Sequence, residues 1–269
     1  MAHPGIDIIH CCNHVLAVNK AACTLSVPDE SGNVSELDAA RAAVERMFNK
    51  PGRAWVAAVH RLDRPVSGAM IFARTSKAAS RLGVAFAARD VLKVYWGLAI
   101  LPTGTASAGT VTHCLMKDSR TNTVRIVRPD VKGAKEAVTE WRVIGPGAGP
   151  ASLVEFRPRT GRAHQIRLAA ASLGAPLLGD LRYAHGQVEP LPDRSIALHA
   201  RSLEFLHPTN GLRMRVVAPP PERSGIWDAG LCREARAEGA GVVWMTPDGK
   251  EALPPHPPGN NYGAGTAHS

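Results

Sequence analysis

The apolar and polar positions of this chain fall into two alternating periods. Residues 14–19 (HVLAVN) form a short apolar run that predicts a buried strand, followed by Lys20 and a loop through Pro28-Asp29-Glu30-Ser31-Gly32. From Ser35 the period is helical. Leu37, Ala40, Val44, Met47 and Phe48 recur at three- and four-residue steps, Ser35 with Asp38 resembles a capping box, and Gly52 is read as the stop. Strand text returns at 69–73 after a Pro65-Val66-Ser67-Gly68 turn. Ser76 then reads as the N-cap of a second helix with Ala79, Leu82 and Phe86 on one face. The β-branched and aromatic stretch 93–100 predicts another strand, whose Tyr95 is as readily a core aromatic as a functional one.

Residues 110–143 read as β-rich with long polar loops, and Gly145-Pro146-Gly147-Ala148-Gly149-Pro150 as a flexible turn into a strand at 152–156. Thr160-Gly161 looks like the entrance to a helix reaching Leu173, with Gly174 as its C-cap. On that reading Arg162 and Ile166, four apart, share a face at the helix N-terminus, an end suited to anions. A turn at 176–180 precedes strands at 197–206 and 212–217, joined through His207-Pro208-Thr209-Asn210-Gly211. Pro219-Pro220-Pro221 closes the body. Residues 226–243 predict a short helix and a strand, and the Pro/Gly-rich stretch 252–269 is expected to be disordered.

Charge adds a partner to this picture. Lysine plus arginine number 32 against 23 aspartate plus glutamate, a net +9 in 269 residues. From Pro219 onward six acidic residues outnumber four basic ones, so the first 218 residues carry +11. A basic body with a near-neutral tail points to a polyanion. Arg120, Arg125, Arg128, Lys132, Lys135 and Arg142 stud the β-rich region, suiting either phosphate contacts or a solvated hairpin tip. Five cysteines without a CxxC pair argue against a disulfide framework or zinc knuckle and for a reducing compartment. With no long apolar run or N-terminal signal pattern, the expectation is a soluble cytoplasmic protein with no membrane partner.

The stretch that carries chemistry is 58–75 (AVHRLDRPVSGAMIFART). It sets Asp63 between Arg61 and Arg64 on a loop, an arrangement that favours the charged carboxylate. The H-R-D loop of protein kinases is a look-alike that fails, because Leu62 interrupts the triplet and no glycine-rich phosphate loop precedes it. In 157–167 (RPRTGRAHQIR), His164 and Gln165 are either ligands or structural hydrogen-bonders, and no second His or Cys stands at metal spacing.

Taken in order, His60-Arg61-Leu62-Asp63 with Ser67-Gly68, Lys93-x-Tyr95, and Gly161-Arg162-x-His164-Gln165-Ile166-Arg167 with Gly179-Asp180 resemble the motifs of the RluA-type pseudouridine synthases. Lys20, Ala137-Val138-Thr139-Glu140 and Leu198-His199-Ala200 with His207-Pro208 are weaker echoes, and the resemblance spans about 15–219. It implies an α+β pseudouridine synthase fold: a mixed, mainly antiparallel sheet flanked by helices, forming one catalytic domain over 1–218 with a basic RNA-binding cleft. Residues 219–269 would be an extension, and no separate N-terminal RNA-binding domain is expected. The implied reaction breaks the N-glycosidic bond of a uridine in ribosomal (23S-type) or transfer RNA, turns the uracil and joins it through carbon, by a monomer using no cofactor and no metal.

The resemblance also assigns roles. Asp63 would attack ribose carbon 1 or the uracil ring, or stabilise charge on a glycal route, with Arg162 as its counterion and Tyr95 against the uracil. These three form the implied catalytic set. Ile166 would wall the other side of the base and Arg61 would fill the gap left by the extruded nucleotide, with His60, His164, Gln165 and Arg167 completing the substrate-binding set. The chain departs from the family's usual text at Pro65, Val66 and Ala21. Two rivals stand beside this reading. One is a non-catalytic RNA-binding protein that kept the fold. The other is glycosyl hydrolysis, which would want a second carboxylate such as Asp180.

Overall fold

The computed structural model describes residues 5–49, 51–118, 121, 123–222, 225–228, 230–246 and 248–252. Arg120 and the stretch 253–269 lie outside them. In chain order the elements are β1 (Ile8–Cys11), β2 (Val15–Lys20), α1 (Glu36–Met47), β3 (Ala57–Ala58), β4 (Ser67–Ala73), α2 (Ser76–Ala88), β5 (Leu92–Ala99) and β6 (Ala108–Asp118). There follow β7 (Thr123–Val127), β8 (Lys135–Pro146), β9 (Ser152–Pro158), α3 (Gln165–Ser172), β10 (Leu198–Leu206), β11 (Arg213–Val217), α4 (Gly230–Glu238), β12 (Gly241–Met245) and β13 (Glu251–Ala252).

The described strands make one mixed sheet in the order β1-β2-β4-β10-β5-β9-β8-β6-β7, with β3 on β4 and β11-β12-β13 branching from β10. Among these pairings only β4 with β10 is parallel, so the α+β, mainly antiparallel reading holds. The apolar runs of β2 and β4 are buried on both faces, and alternate residues serve different cores, as the two-residue strand period requires. Val15, Ala17, Ala69, Ile71 and Ala73 pack with Leu82 of α2 and Phe205, Met214 and Trp244. Leu16, Val18, Met70 and Phe72 pack with Leu37, Ala40 and Val44 of α1. A third core joins α3, through Ile166 and Ala170, to Trp141, Val154, Phe156 and Leu198. Tyr95 of β5 touches both the α1 core and the α3 core, so it stands at the seam between the two halves of the sheet.

Several boundaries differ from the sequence expectation, each for a local reason. Thr75, not Ser76, caps α2, because its extended backbone lets its side chain accept from the Ala78 N–H at 3.2 Å. The Ser35–Asp38 capping box is present, but α1 ends at Phe48 rather than Gly52. Strand β1, unmarked by any alternation, pairs with β2. Thr160 does not open α3: its hydroxyl donates to Gln165 Oε1 at 2.7 Å and accepts from the Val138 N–H at 3.0 Å, pinning the loop to β8. The helix begins at Gln165, so Arg162 precedes it and shares no helical face with Ile166. Beyond residue 218 the expected short helix and strand are α4 and β12; β12 pairs with β11, and Trp227 and Trp244 are buried in the cores.

Candidate active site

The loop carrying Asp63 is fixed from below by buried groups. Leu62 is packed in the α1 core, and Ser26 closes on its backbone twice, donating to the Leu62 carbonyl at 2.7 Å and accepting from its N–H at 3.0 Å. Lys20, fully buried at the end of β2, donates from Nζ to the carbonyls of Ala21 and Thr24 at 2.9 Å and of Arg64 at 3.4 Å. Burial pulls its ammonium down to about 8, although the charges of Glu36, Cys23 and Asp63 oppose the fall. The Val66 N–H donates to the Asp63 carbonyl at 3.0 Å and closes the turn into β4. Asp63 is thereby lifted out of the core with its side chain 30% exposed.

The opposite wall comes from the start of α3 and the turn after it. Arg167, buried, offers a planar fork to Asp180, Nε to Oδ2 at 2.8 Å and Nη2 to Oδ1 at 2.7 Å. Its guanidinium lies over the Tyr183 ring at 4.9 Å. The remaining nitrogen, Nη1, approaches Asp63 Oδ2 at 3.4 Å. His164 Nε2 reaches the same oxygen at 3.6 Å, while His164 Nδ1 meets the Tyr183 hydroxyl at 2.5 Å. Both donors address Oδ2, so Oδ1 has no partner among the described residues. The charges of Asp180 and Asp63 and the Asp180 hydrogen bonds hold the Arg167 guanidinium above its ordinary value despite its burial.

Tyr95 completes the set. Its hydroxyl has no hydrogen-bond partner among the described residues, and burial followed by the Asp63 charge pushes it above the ordinary phenol value. It is therefore a neutral O–H donor with an aromatic face, not a phenolate.

One expected contact changes, and two of the expected site residues are engaged within the protein. The arginine on Asp63 is Arg167, not Arg162, which donates from Nε to the Glu136 carbonyl at 3.0 Å instead, because it lies outside the helix that aims Arg167. Gln165 is saturated internally: its carbonyl accepts from Thr160 and the Arg162 N–H, and its amide donates to the Val138 carbonyl and Thr139 Oγ1 at 2.9 Å. It ties the motif to β8. His60 accepts the Ile71 N–H at 3.0 Å and stacks on Phe86 at 4.7 Å, and burial and Lys93 depress it to about 3, so it is a neutral loop support. Ile166 is buried in the core that Tyr95 joins. Arg61 is exposed and makes no hydrogen bond or ion pair among the described residues. A 470 Å³ cavity lined by Lys20, Glu36, Ser67, Asp193, Trp227 and Arg236 has none of Asp63, Tyr95 or Arg167 in its wall.

The family model described as RNA pseudouridylate synthase matches residues 14–172, spanning Asp63, Tyr95, His164 and Arg167. The chain belongs to this family. Ribosomal large subunit pseudouridine synthase D of Xylella fastidiosa is 36% identical over 236 residues, 81% of this chain and 66% of the relative. The dual-specificity RNA pseudouridine synthase RluA of Haemophilus influenzae is 32% identical over 216 residues, 78% of this chain and 91% of that protein, which makes the family membership one of RluA type. An uncharacterized RNA pseudouridine synthase of Synechocystis is 36% identical over 165 residues, and this chain spans only 49% of its length. The fold matches human RNA pseudouridylate synthase domain containing 1 with a TM-score of 0.67 at 24% identity, over 95% of this chain and 94% of that one.

Within this site, Tyr183 and Ser26 carry no expectation from sequence. Tyr183 is one of only three tyrosines and stands three residues after Gly179-Asp180, a signal that its rarity offered. Ser26 had none, since an isolated loop serine is ordinary.

Proposed function

We propose that the protein is an RNA pseudouridine synthase with Asp63 as its essential carboxylate. The observation that carries this reading is the one-sided clamp on that group: Arg167 and His164 both address Oδ2, Oδ1 has no partner among the described residues, and the phenol of Tyr95, which feels the Asp63 charge, is held neutral. An ionised carboxylate with one free oxygen can form a covalent intermediate and split a hard glycosidic rearrangement into two easier steps. Attack on ribose carbon 1, attack on the uracil ring and charge stabilisation on a glycal route all use that same oxygen. Tyr95 stacks on the uracil, an interaction of about 1–3 kcal/mol per base, with Ile166 behind it. Arg61, free and two residues from Asp63, takes the space the extruded nucleotide leaves, offsetting part of the unstacking cost of a few kcal/mol.

RNA reaches the site over Arg125, Lys132 and Lys135, which are exposed and unpaired among the described residues. Arg142 and Arg157 share the Glu155 carboxylate, and Arg159 is paired with Glu140. Substrates named for the relatives, large-subunit ribosomal RNA and a dual specificity, set the RNA classes to try first. The reading takes the working form to be a monomer. The five free cysteines support a reducing, cytoplasmic setting. No described helix is long and apolar enough to cross a membrane.

The hydrolase rival lacks its second acid, since both Asp180 oxygens are taken by Arg167. The test is pseudouridine mapping of ribosomal and transfer RNA from cells lacking the gene, complemented with wild type or Asp63→Asn. One or a few sites should vanish and return only with wild type. Restoration by Asp63→Asn would leave an RNA-binding role.

A further inference from the structure

His164 has a geometry that its motif alone does not explain. It adopts φ 52° and ψ 16°, a left-handed conformation uncommon for a non-glycine residue. Its ring takes part in a short chain of hydrogen bonds. The Tyr183 oxygen accepts the Val124 N–H at 3.1 Å and lies 2.5 Å from His164 Nδ1. Were Nδ1 protonated, the Tyr183 O–H would have no acceptor among the described residues. With the phenol donating to Nδ1, the imidazole proton sits on Nε2, the nitrogen that faces Asp63 Oδ2.

We propose that His164 is a positioning residue for Asp63: the Tyr183 hydroxyl fixes its neutral Nε2–H tautomer, and with Arg167 that N–H engages Oδ2 so that Oδ1 is the reacting oxygen. This rests on the synthase reading of Asp63. The 3.6 Å separation is longer than a hydrogen bond and closes when RNA fills the site, as catalytic contacts often tighten on substrate binding. The charged groups facing the imidazole are Asp63, Arg167, Arg182 and Asp180; burial, joined by the two arginines, outweighs the two carboxylates and holds its pKa below the ordinary value.

The test separates this role from a merely conformational one. Asparagine tolerates the left-handed backbone better than glutamine, but only the longer glutamine amide reaches where Nε2 stands. Steady-state tritium release from RNA labelled at uridine C5 should give His164→Gln a kcat within about threefold of wild type, and His164→Asn a loss of about tenfold or more at unchanged KM. Asparagine equal to or better than glutamine overturns the proposal. Independently of activity, nitrogen NMR of histidine-labelled full-length protein should show a pyridine-type Nδ1 for His164 that becomes mixed in Tyr183→Phe. An Nδ1–H signal in wild type overturns it too. Wild-type protein that releases no tritium sinks the synthase reading alone, and the nitrogen spectrum still decides the tautomer.

Discussion

Asp63 is chemically lopsided, because one oxygen carries both protein contacts and the other none. The fork of Arg167 makes this possible: two of its nitrogens are spent on Asp180, which fixes the plane, and the third is left aimed. Arg167→Lys keeps the charge but cannot hold Asp180 in two places while reaching Asp63. It should lower kcat by about 10²-fold with a smaller change in KM, since misplacement by about 1 Å costs that much. Steady-state kinetics check this, and a wild-type kcat in Arg167→Lys would show that charge alone suffices. On the proposed reading Arg61 acts on the RNA, since it is exposed and makes no contact with Asp63 among the described residues. Arg61→Ala should weaken turnover of uridines inside paired RNA far more than of those in an unstructured fragment, because only the former leave a stacked gap. Comparing the two substrates measures it, and an equal loss on both would assign Arg61 to simple phosphate binding.

At the element scale, the site depends on how closely β4 and β10 approach. Gly68, at φ 118°, pairs with Ala200 in the parallel register, and a Cβ there would sit 2.5 Å from the Ala200 nitrogen. Ser67, beside it, meets His199 Nδ1 at 2.9 Å inside the same contact. Gly68→Ala combines a disfavoured backbone with a clash against main chain that cannot swing aside, and should cost about 3–5 kcal/mol. A urea melt reads this directly, and a loss under about 1 kcal/mol would mean that β10 yields. The elements with a strong local signal were legible in sequence: α1 through its capping box and apolar spacing, β4 through its apolar run and turn. The start of α3 was not, because Thr160 spends its hydroxyl on a tertiary bond to β8 that no local pattern encodes.

For the whole molecule, burial of neutral imidazoles ties stability to pH. His199 is completely buried, accepts or donates at both nitrogens and is pulled down to about 4 by burial, and His60 to about 3. Their unfolded value is near 6.5, so between that and about 4 the unfolded chain binds more protons than the folded one. The stability contributed by the neutral forms is thus fully present above pH 6.5 and is lost as pH falls, by about 1.4 kcal/mol per pH unit for each histidine. The urea midpoint should decline steadily from about pH 6.5 to 4.5. A flat profile would mean that these imidazoles are not held neutral.

By itself the sequence determined the elements with a two- or 3.6-residue apolar period, the uneven basic charge and the ordered motifs that mark Asp63, Tyr95 and the 161–167 segment, because each is written in contiguous residues. Only the tertiary structure decided which groups meet. Arg162 and Arg167 are both arginines in one motif, and choosing between them needs the helix phase, which a left-handed His164 resets just before α3. Gln165 and His60 look like ligands until their partners on β8 and β4 are known. Tyr183 and Ser26 act through contacts with residues 19 and 36 positions away, His164 and Leu62. Such partners are set by packing rather than by spacing along the chain, and the contacts of Asp63 with Arg167 and His164 join segments about a hundred residues apart.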